Sequence, residues 1–148
     1  MIPLPANGSL PSEDAATLLP VTGQDFEQPP GVANLDGIVA KSGVLIVAQS
    51  NTGLLFRVDP TTGIATLINL GDNVTLSNVD GLELQGRTLY AVRNTNVVTV
   101  VQLDSQLAAG TVLGNITDPG LDVPTTGTVA GRRAAVGSQR PVRYGAIT

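Results

Sequence analysis

The chain reads as an all-β protein, and three observations in its 148 residues carry that reading. Short runs of Val, Ile, Leu and Thr, each of strand length, are punctuated by Gly, Asn and Asp. No window of helical length keeps an apolar helical period. A block of residues also recurs, with the same order of parts behind it, at a spacing of 44. Composition agrees: 42% of residues are hydrophobic but only 3% aromatic, with no Trp, so a core must be built from Val, Leu, Ile and Ala.

Residues 1–31 hold six of the ten prolines, which remove backbone donors and break helices, so this segment is expected to be an extended arm. Within it, 16–21 is the one stretch with strand character, followed by a Thr22-Gly23 turn. Strands are then predicted at 37–40, 44–49, 54–59, 64–70, 82–85, 88–93, 97–103 and 111–117.

The repeat dictates how these strands assemble. Asn34-Leu35-Asp36-Gly37-Ile38 returns as Asn78-Val79-Asp80-Gly81-Leu82. Behind each copy comes a matching strand, 44–48 against 88–92, then a polar turn, then 55–59 against 100–104, then a fourth strand. A third, degenerate copy begins at Leu121-Asp122-Val123-Pro124, 42 residues after Asp80, with Gly131-Arg132-Arg133-Ala134-Ala135-Val136 in the place of 86–92. Four short strands in a repeat of about 40–50 residues is the pattern of a β-propeller blade, which must stack on neighbours to bury its faces. The expected organisation is an arm at 1–31 and blades at 32–74, 75–118 and 119–148, the last degenerate. Three blades make roughly half of a six-bladed ring, since propellers usually hold about 4–8. The end blades are expected to leave apolar faces in water, which predicts self-association or a missing N-terminal half. Beyond Gly131 small residues replace Leu89 and Tyr90, and the segment is expected to be poorly ordered.

The order Asp36-Gly37-Ile38, Ser50-Asn51-Thr52-Gly53, Arg57-Val58-Asp59-Pro60-Thr61-Thr62-Gly63, Asp80-Gly81-Leu82, Gly86-Arg87-Thr88-Leu89-Tyr90 and Asp122-Val123-Pro124-Thr125-Thr126 resembles six-bladed propellers of the gluconolactonase, regucalcin and senescence-marker-protein group. The likeness covers about residues 30–136, the C-terminal half of such a ring. It implies one divalent cation, calcium or similar, at the channel mouth, held by a Glu from the first blade, an Asn before a Gly and an Asp before a Gly. Asp36 stands where the family has its Asn, and Asp80 where it has its Asp; the Glu has no counterpart. The resemblance thus implies Asp36 and Asp80 as metal ligands, with Asp80 also the general base of lactone hydrolysis. Residue chemistry alone leaves a second reading open, in which Asp-Gly simply makes the turn entering each strand. The leading functional expectation is an incomplete propeller scaffold or binding module, non-catalytic as an isolated chain. The alternative is a divalent-metal-dependent, lactonase-like hydrolase.

Composition narrows the chemistry further. Without Cys there are no disulfides or thiolate nucleophiles, and without His no Ser-His-Asp triad or imidazole ligands. A Ser-Lys pair would rest on Lys41, in a turn where exposure is expected. The net charge of −4 divides into −8 over residues 1–122 and +4 over 123–148, where Arg132, Arg133, Arg140 and Arg143 face no acid. Four Arg without an aromatic platform make a solvated end, so no nucleic-acid partner is expected. No apolar run is long enough to span a bilayer, and no membrane partner is expected either. The first residues show neither a basic nor an apolar signal region, so no signal peptide is visible. Asn7, Asn73 and Asn115 head three glycosylation sequons, meaningful only in a secretory pathway.

Overall fold

The computed structural model describes every residue except 3, 33, 132, 140–144 and 148, and for 145–147 the backbone alone. Strands β1 (Leu35–Lys41), β2 (Val44–Gln49), β3 (Leu54–Val58) and β4 (Ala65–Leu67) form one antiparallel meander. A second meander repeats it with β5 (Val79–Gln85), β6 (Thr88–Arg93), β7 (Val97–Leu103) and β8 (Gly110–Ile116). A third sheet holds β9 (Pro124–Ala130), β10 (Arg133–Ser138) and β11 (Gly145–Ile147). The chain is thus all-β, a partial propeller of three consecutive blades. The innermost strands of the three blades are β1, β5 and β9, the first two covering the strands expected at 37–40 and 82–85.

These inner strands lie against one another, and two glycines permit it. A Cβ on Gly37 would stand 2.7 Å from the backbone nitrogen of Leu82, and one on Gly81 would stand 2.7 Å from the Thr125 carbonyl oxygen and 2.8 Å from the Thr126 Cα. The Asp-Gly pairs therefore do more than turn the chain: they let successive blades meet backbone to backbone. At the hairpin tips the ties repeat in register. Lys41 Nζ donates to the Gly86 carbonyl, and Gln85, one repeat on, donates to the Gly131 carbonyl at 2.8 Å. Lys41 is a clasp between blades.

Strand alternation divides the core. Ile46, Ala48 and Leu55 face the second blade, packing with Val79, Leu89 and Val101. Their neighbours Val47, Phe56 and Val58 face the opposite way. Val92 and Val98 carry the second blade onto Val136 and Leu121 of the third.

The arm corrects one expectation. Residues 16–21 form no strand; a 3-10 turn at Glu13–Ala15 precedes them, and pairing is confined to a parallel bridge between Thr22 and Ile64. Yet the arm is seated. Thr22 accepts from the Ala65 nitrogen at 2.7 Å, and a Cβ on Gly63 would meet the Pro20 carbonyl at 2.0 Å. Val21 and Phe26 then pack on Val47, Phe56 and Val58, so the apolar outer face of the first blade is covered by its own chain. At the other end the exposed positions along β9 are Thr126, Thr128 and Ala130, small and largely polar. The two ends are therefore unlike. After Gly131, β10 pairs along β9 and buries Val136 to 5% exposure, so this part of the segment is ordered into the third sheet; Arg140 and Arg143 lie outside the described residues.

Candidate functional site

At one end of the inner strands the three blades present equivalent positions, fixed by a bulge in each. The register shifts between Leu35 and Ile38 in β1 and between Val79 and Gly81 in β5, and opposite β9 between Gly137 and Ser138. Leu35, Val79 and Pro124 are therefore equivalent, as are Asp36, Asp80 and Thr125. The backbone closes each blade in the same way. The nitrogens of Ser50, Asn94 and Gln139 donate to the carbonyls of Asn34, Asn78 and Val123 at 2.7, 3.0 and 3.2 Å. The third repeat thus runs 45 residues behind the second, and its counterpart of Asp80 is Thr125, not Asp122. Asp122 sits before the strand, where its carbonyl accepts the Ser138 hydroxyl.

Asp36 and Asp80 stand at one register position on neighbouring strands but in different surroundings. Asp80 is half-buried and its Oδ2 accepts from Asn94 Nδ2 at 3.1 Å, a bond across its own blade. Asp36 is exposed and borders a cavity beneath the arm, which Asp80 does not line. Calcium takes about 6–8 oxygens, two carboxylates supply a minority of them, and no group of three or more acidic side chains is assembled among the described residues.

Beside Asp36 lies a buried amide cluster that the sequence reading missed. Gln49, 1% exposed, donates from Nε2 to Asn34 Oδ1 at 2.7 Å and to the Glu27 carbonyl at 2.5 Å, and its Oε1 accepts the Thr52 hydroxyl at 2.7 Å. One glutamine so joins the arm, the strand entry and the following turn. Asn34 recurs as Asn78, and that was the available signal; Gln49, matched by Arg93, left none.

Electrostatics elsewhere are local. The turns after β3 and β7 each fold around an aspartate. Asp59 accepts from the Thr61 and Thr62 nitrogens and Asp104 from that of Ala108, and these backbone bonds hold both carboxyls below the ordinary 3.8. Asn7, Asn73 and Asn115 are all exposed.

No protein-family model and no curated protein matches the chain. Among solved structures it is similar to Myxococcus xanthus glutaminyl cyclase, with a TM-score of 0.52 and 19% identity over 77% of this chain and 56% of that one. It is similar also to Kuenenia stuttgartiensis hydrazine synthase, with a TM-score of 0.55 and 16% identity over 78% of this chain and 32% of that one. The chain thus spans about half of the first and a third of the second. Both neighbours are propeller-like, and at these identities the likeness establishes the fold alone.

Proposed function

We propose that this chain is an incomplete propeller module, a scaffold or binding ring once further blades are stacked on it, and non-catalytic by itself. The observation that supports this most is the occupancy of the three equivalent mouth positions. They carry a carboxylate, a second carboxylate already accepting from Asn94, and the hydroxyl of Thr125. Such a row offers hydrogen-bonding groups to a partner but no paired acid and base. The backbone contact between inner strands is made at Gly37 and Gly81, whereas the third blade carries Thr126 at that position, so a further blade stacked on β9 would have to meet a side chain there. Completion by self-association is tested by sedimentation velocity at tens of micromolar. A two-copy species, carrying about six blades, supports it; a single-copy species at every concentration overturns it.

A second reading keeps the resemblance to the gluconolactonase group: a lactonase-like hydrolase with Asp80 as base and ligand and Asp36 as ligand. It is favoured by their common register on β1 and β5 and needs a third acidic ligand from another blade. Calorimetry with calcium tests it. Asp80→Asn is expected to abolish binding and Asp36→Asn to weaken it less, whereas no heat at millimolar calcium overturns the metal site in this chain.

A further inference from the structure

The arm joins the first blade in the way that the end of the first blade joins the second. Thr22 donates to the Gly63 carbonyl at 3.1 Å and accepts from the Ala65 nitrogen at 2.7 Å. One blade on, Asn69, just past β4, donates to the Ala108 carbonyl at 3.0 Å and accepts from the Gly110 nitrogen at 2.9 Å. Gly63 and Ala108 are 45 residues apart, as are Ala65 and Gly110, and both junctions are parallel bridges. The next residue matches with the sizes exchanged. A Cβ on Gly23 would stand 2.4 Å from the Ala65 carbonyl oxygen, and one on Gly110 would stand 3.0 Å from Leu70 Cδ2. Further along, Phe26, Leu76 and Leu121 each drop from the linker into the apolar cluster ahead of the next blade.

Thr22 therefore holds the place of Asn69, and residues 18–20 hold the place of β4, the outermost strand of a blade. Pro20 suits that place. The Ile68 nitrogen donates to the Leu55 carbonyl of β3 at 2.8 Å, so by alternation the Leu67 nitrogen points away from β3. Pro20, in the position of Leu67, gives up a donor that an outermost strand leaves unpaired. By the same alternation Thr17 turns its backbone toward the missing third strand of such a blade. There it exchanges hydrogen bonds with Met1, its nitrogen donating to the Met1 carbonyl at 2.7 Å and its carbonyl accepting the Met1 ammonium. One residue thus holds an edge built for a strand.

We propose that the arm is the fourth strand of the third sheet of a second copy of this chain. Among the described residues that sheet is β9, β10 and β11, against four strands in each of the others. The proposal rests on the ring reading above and supplies its joint. The repeat sets the register: Val136 stands in the place of Val47, so Gly145, Ala146 and Ile147 stand in the places of Phe56, Arg57 and Val58. Those three pair with Leu67, Thr66 and Ala65, so β11 meets Pro20, Leu19 and Leu18 and displaces Met1. Leu18, 91% exposed in the single chain, is covered in the joint. Thr126 holds the inner strands apart at the channel, and the joint is carried at the rim, where the arm lies.

The chain has no Cys, so single introduced thiols report the joint. Leu18→Cys and Ile147→Cys are made in separate full-length chains, mixed at tens of micromolar and gently oxidised; residues opposite one another in an antiparallel pair lie within disulfide reach. The expected result is a disulfide between the two variants, identified by peptide mass, at several times the yield of a mixture of Leu18→Cys with Leu113→Cys, whose position on β8 is 61% exposed. Leu19→Cys with Ala146→Cys, the neighbouring pair, repeats the test where Ile147→Cys does not fold. Sedimentation of the parent chain separates the failures. A two-copy species in which Leu18→Cys links to itself, or to Ile147→Cys no better than to Leu113→Cys, overturns the arm as fourth strand and leaves the ring reading standing. A single-copy species at every concentration overturns both.

Discussion

The ring of Phe26 stands edge-on to that of Phe56, with centroids 5.4 Å apart and planes at 88°. One ring belongs to the arm and the other to β3, so this contact fastens the cover to the outer face of the first blade. An edge-to-face pair adds about 0.5–1.5 kcal/mol beyond the area it buries.

Phe26→Ala is accordingly expected to cost about 3 kcal/mol, the lower end for a buried Phe, because Phe26 lies at the margin of its cluster with 9% exposure. Urea denaturation measures the loss. The same variant uncovers Val47, Phe56 and Val58, and sedimentation should show stronger self-association than the parent chain.

Gly81→Ala is expected to cost about 1–3 kcal/mol by overpacking. Its Cβ would press on the Thr125 carbonyl and Thr126 Cα, backbone atoms that no rotamer change can move. Gly37→Ala strikes the backbone of Leu82 in the same way. Gly86→Asn is the control: it lies at φ 61° in open space, and Asn accepts that conformation with little strain. Thermal melts that rank Gly86→Asn below the other two would contradict the close-approach account.

Those glycines also show what was legible in the sequence. Asn34-Leu35-Asp36-Gly37 and its copy at 78–81 betrayed the blades because inner-strand contact demands the same small residue each time. The strands followed from β-branched runs, since alternation between two buried faces leaves little else. The third blade was misaligned because Thr125 and Thr126 replace the Asp-Gly pair there, and Asp122 offered a false anchor. The arm's role was hidden for a different reason. Its contacts, Thr22 with Ile64 and Phe26 with Phe56, join distant segments and follow no period.

Acid should weaken the fold through its turns. The carboxyls of Asp59 and Asp104 titrate below 3.8 in the folded chain because backbone N–H groups bond the ionised form. A folded value below the unfolded one means that the stabilisation is complete above the unfolded value and is lost as pH falls through the folded one. Stability is therefore expected to fall below about pH 4. In the double variant Asp59→Asn, Asp104→Asn, the acid limb measured by chemical denaturation should be shallower. An unchanged limb would place the acid sensitivity elsewhere.

Gln49→Leu tests the amide cluster. The replacement keeps the bulk but leaves the buried Asn34 Oδ1 without its donor, while the Glu27 carbonyl and the Thr52 hydroxyl, on exposed residues, can turn to water. A buried group left unsatisfied costs about 1–3 kcal/mol, so the loss should exceed that of Thr52→Val, which removes one bond. Amide exchange offers a second readout: residues 27–36 should exchange faster in Gln49→Leu, because that side chain ties the end of the arm to the strand entry.

Val123 carries the last prediction, and it runs toward greater stability. Its φ is 51°, in the left-handed region that a β-branched side chain adopts only under strain. The surroundings impose it. The Val123 nitrogen donates to Asn96 Oδ1 at 2.7 Å and its carbonyl accepts from Gln139, the bond that closes the third blade. At the equivalent place in the second blade the chain uses Asn78, at φ 64°. Left-handed backbone costs an ordinary residue about 1–2 kcal/mol, and Asn recovers much of this. Val123 belongs to none of the buried clusters, so its replacement forfeits little packing. Val123→Asn is therefore expected to stabilise the chain by about 1 kcal/mol, read as a higher urea midpoint at unchanged slope. Val123→Gly should gain less, since the unfolded chain gains freedom as well. A destabilised Val123→Asn would show that the third blade is not held in the register of the second.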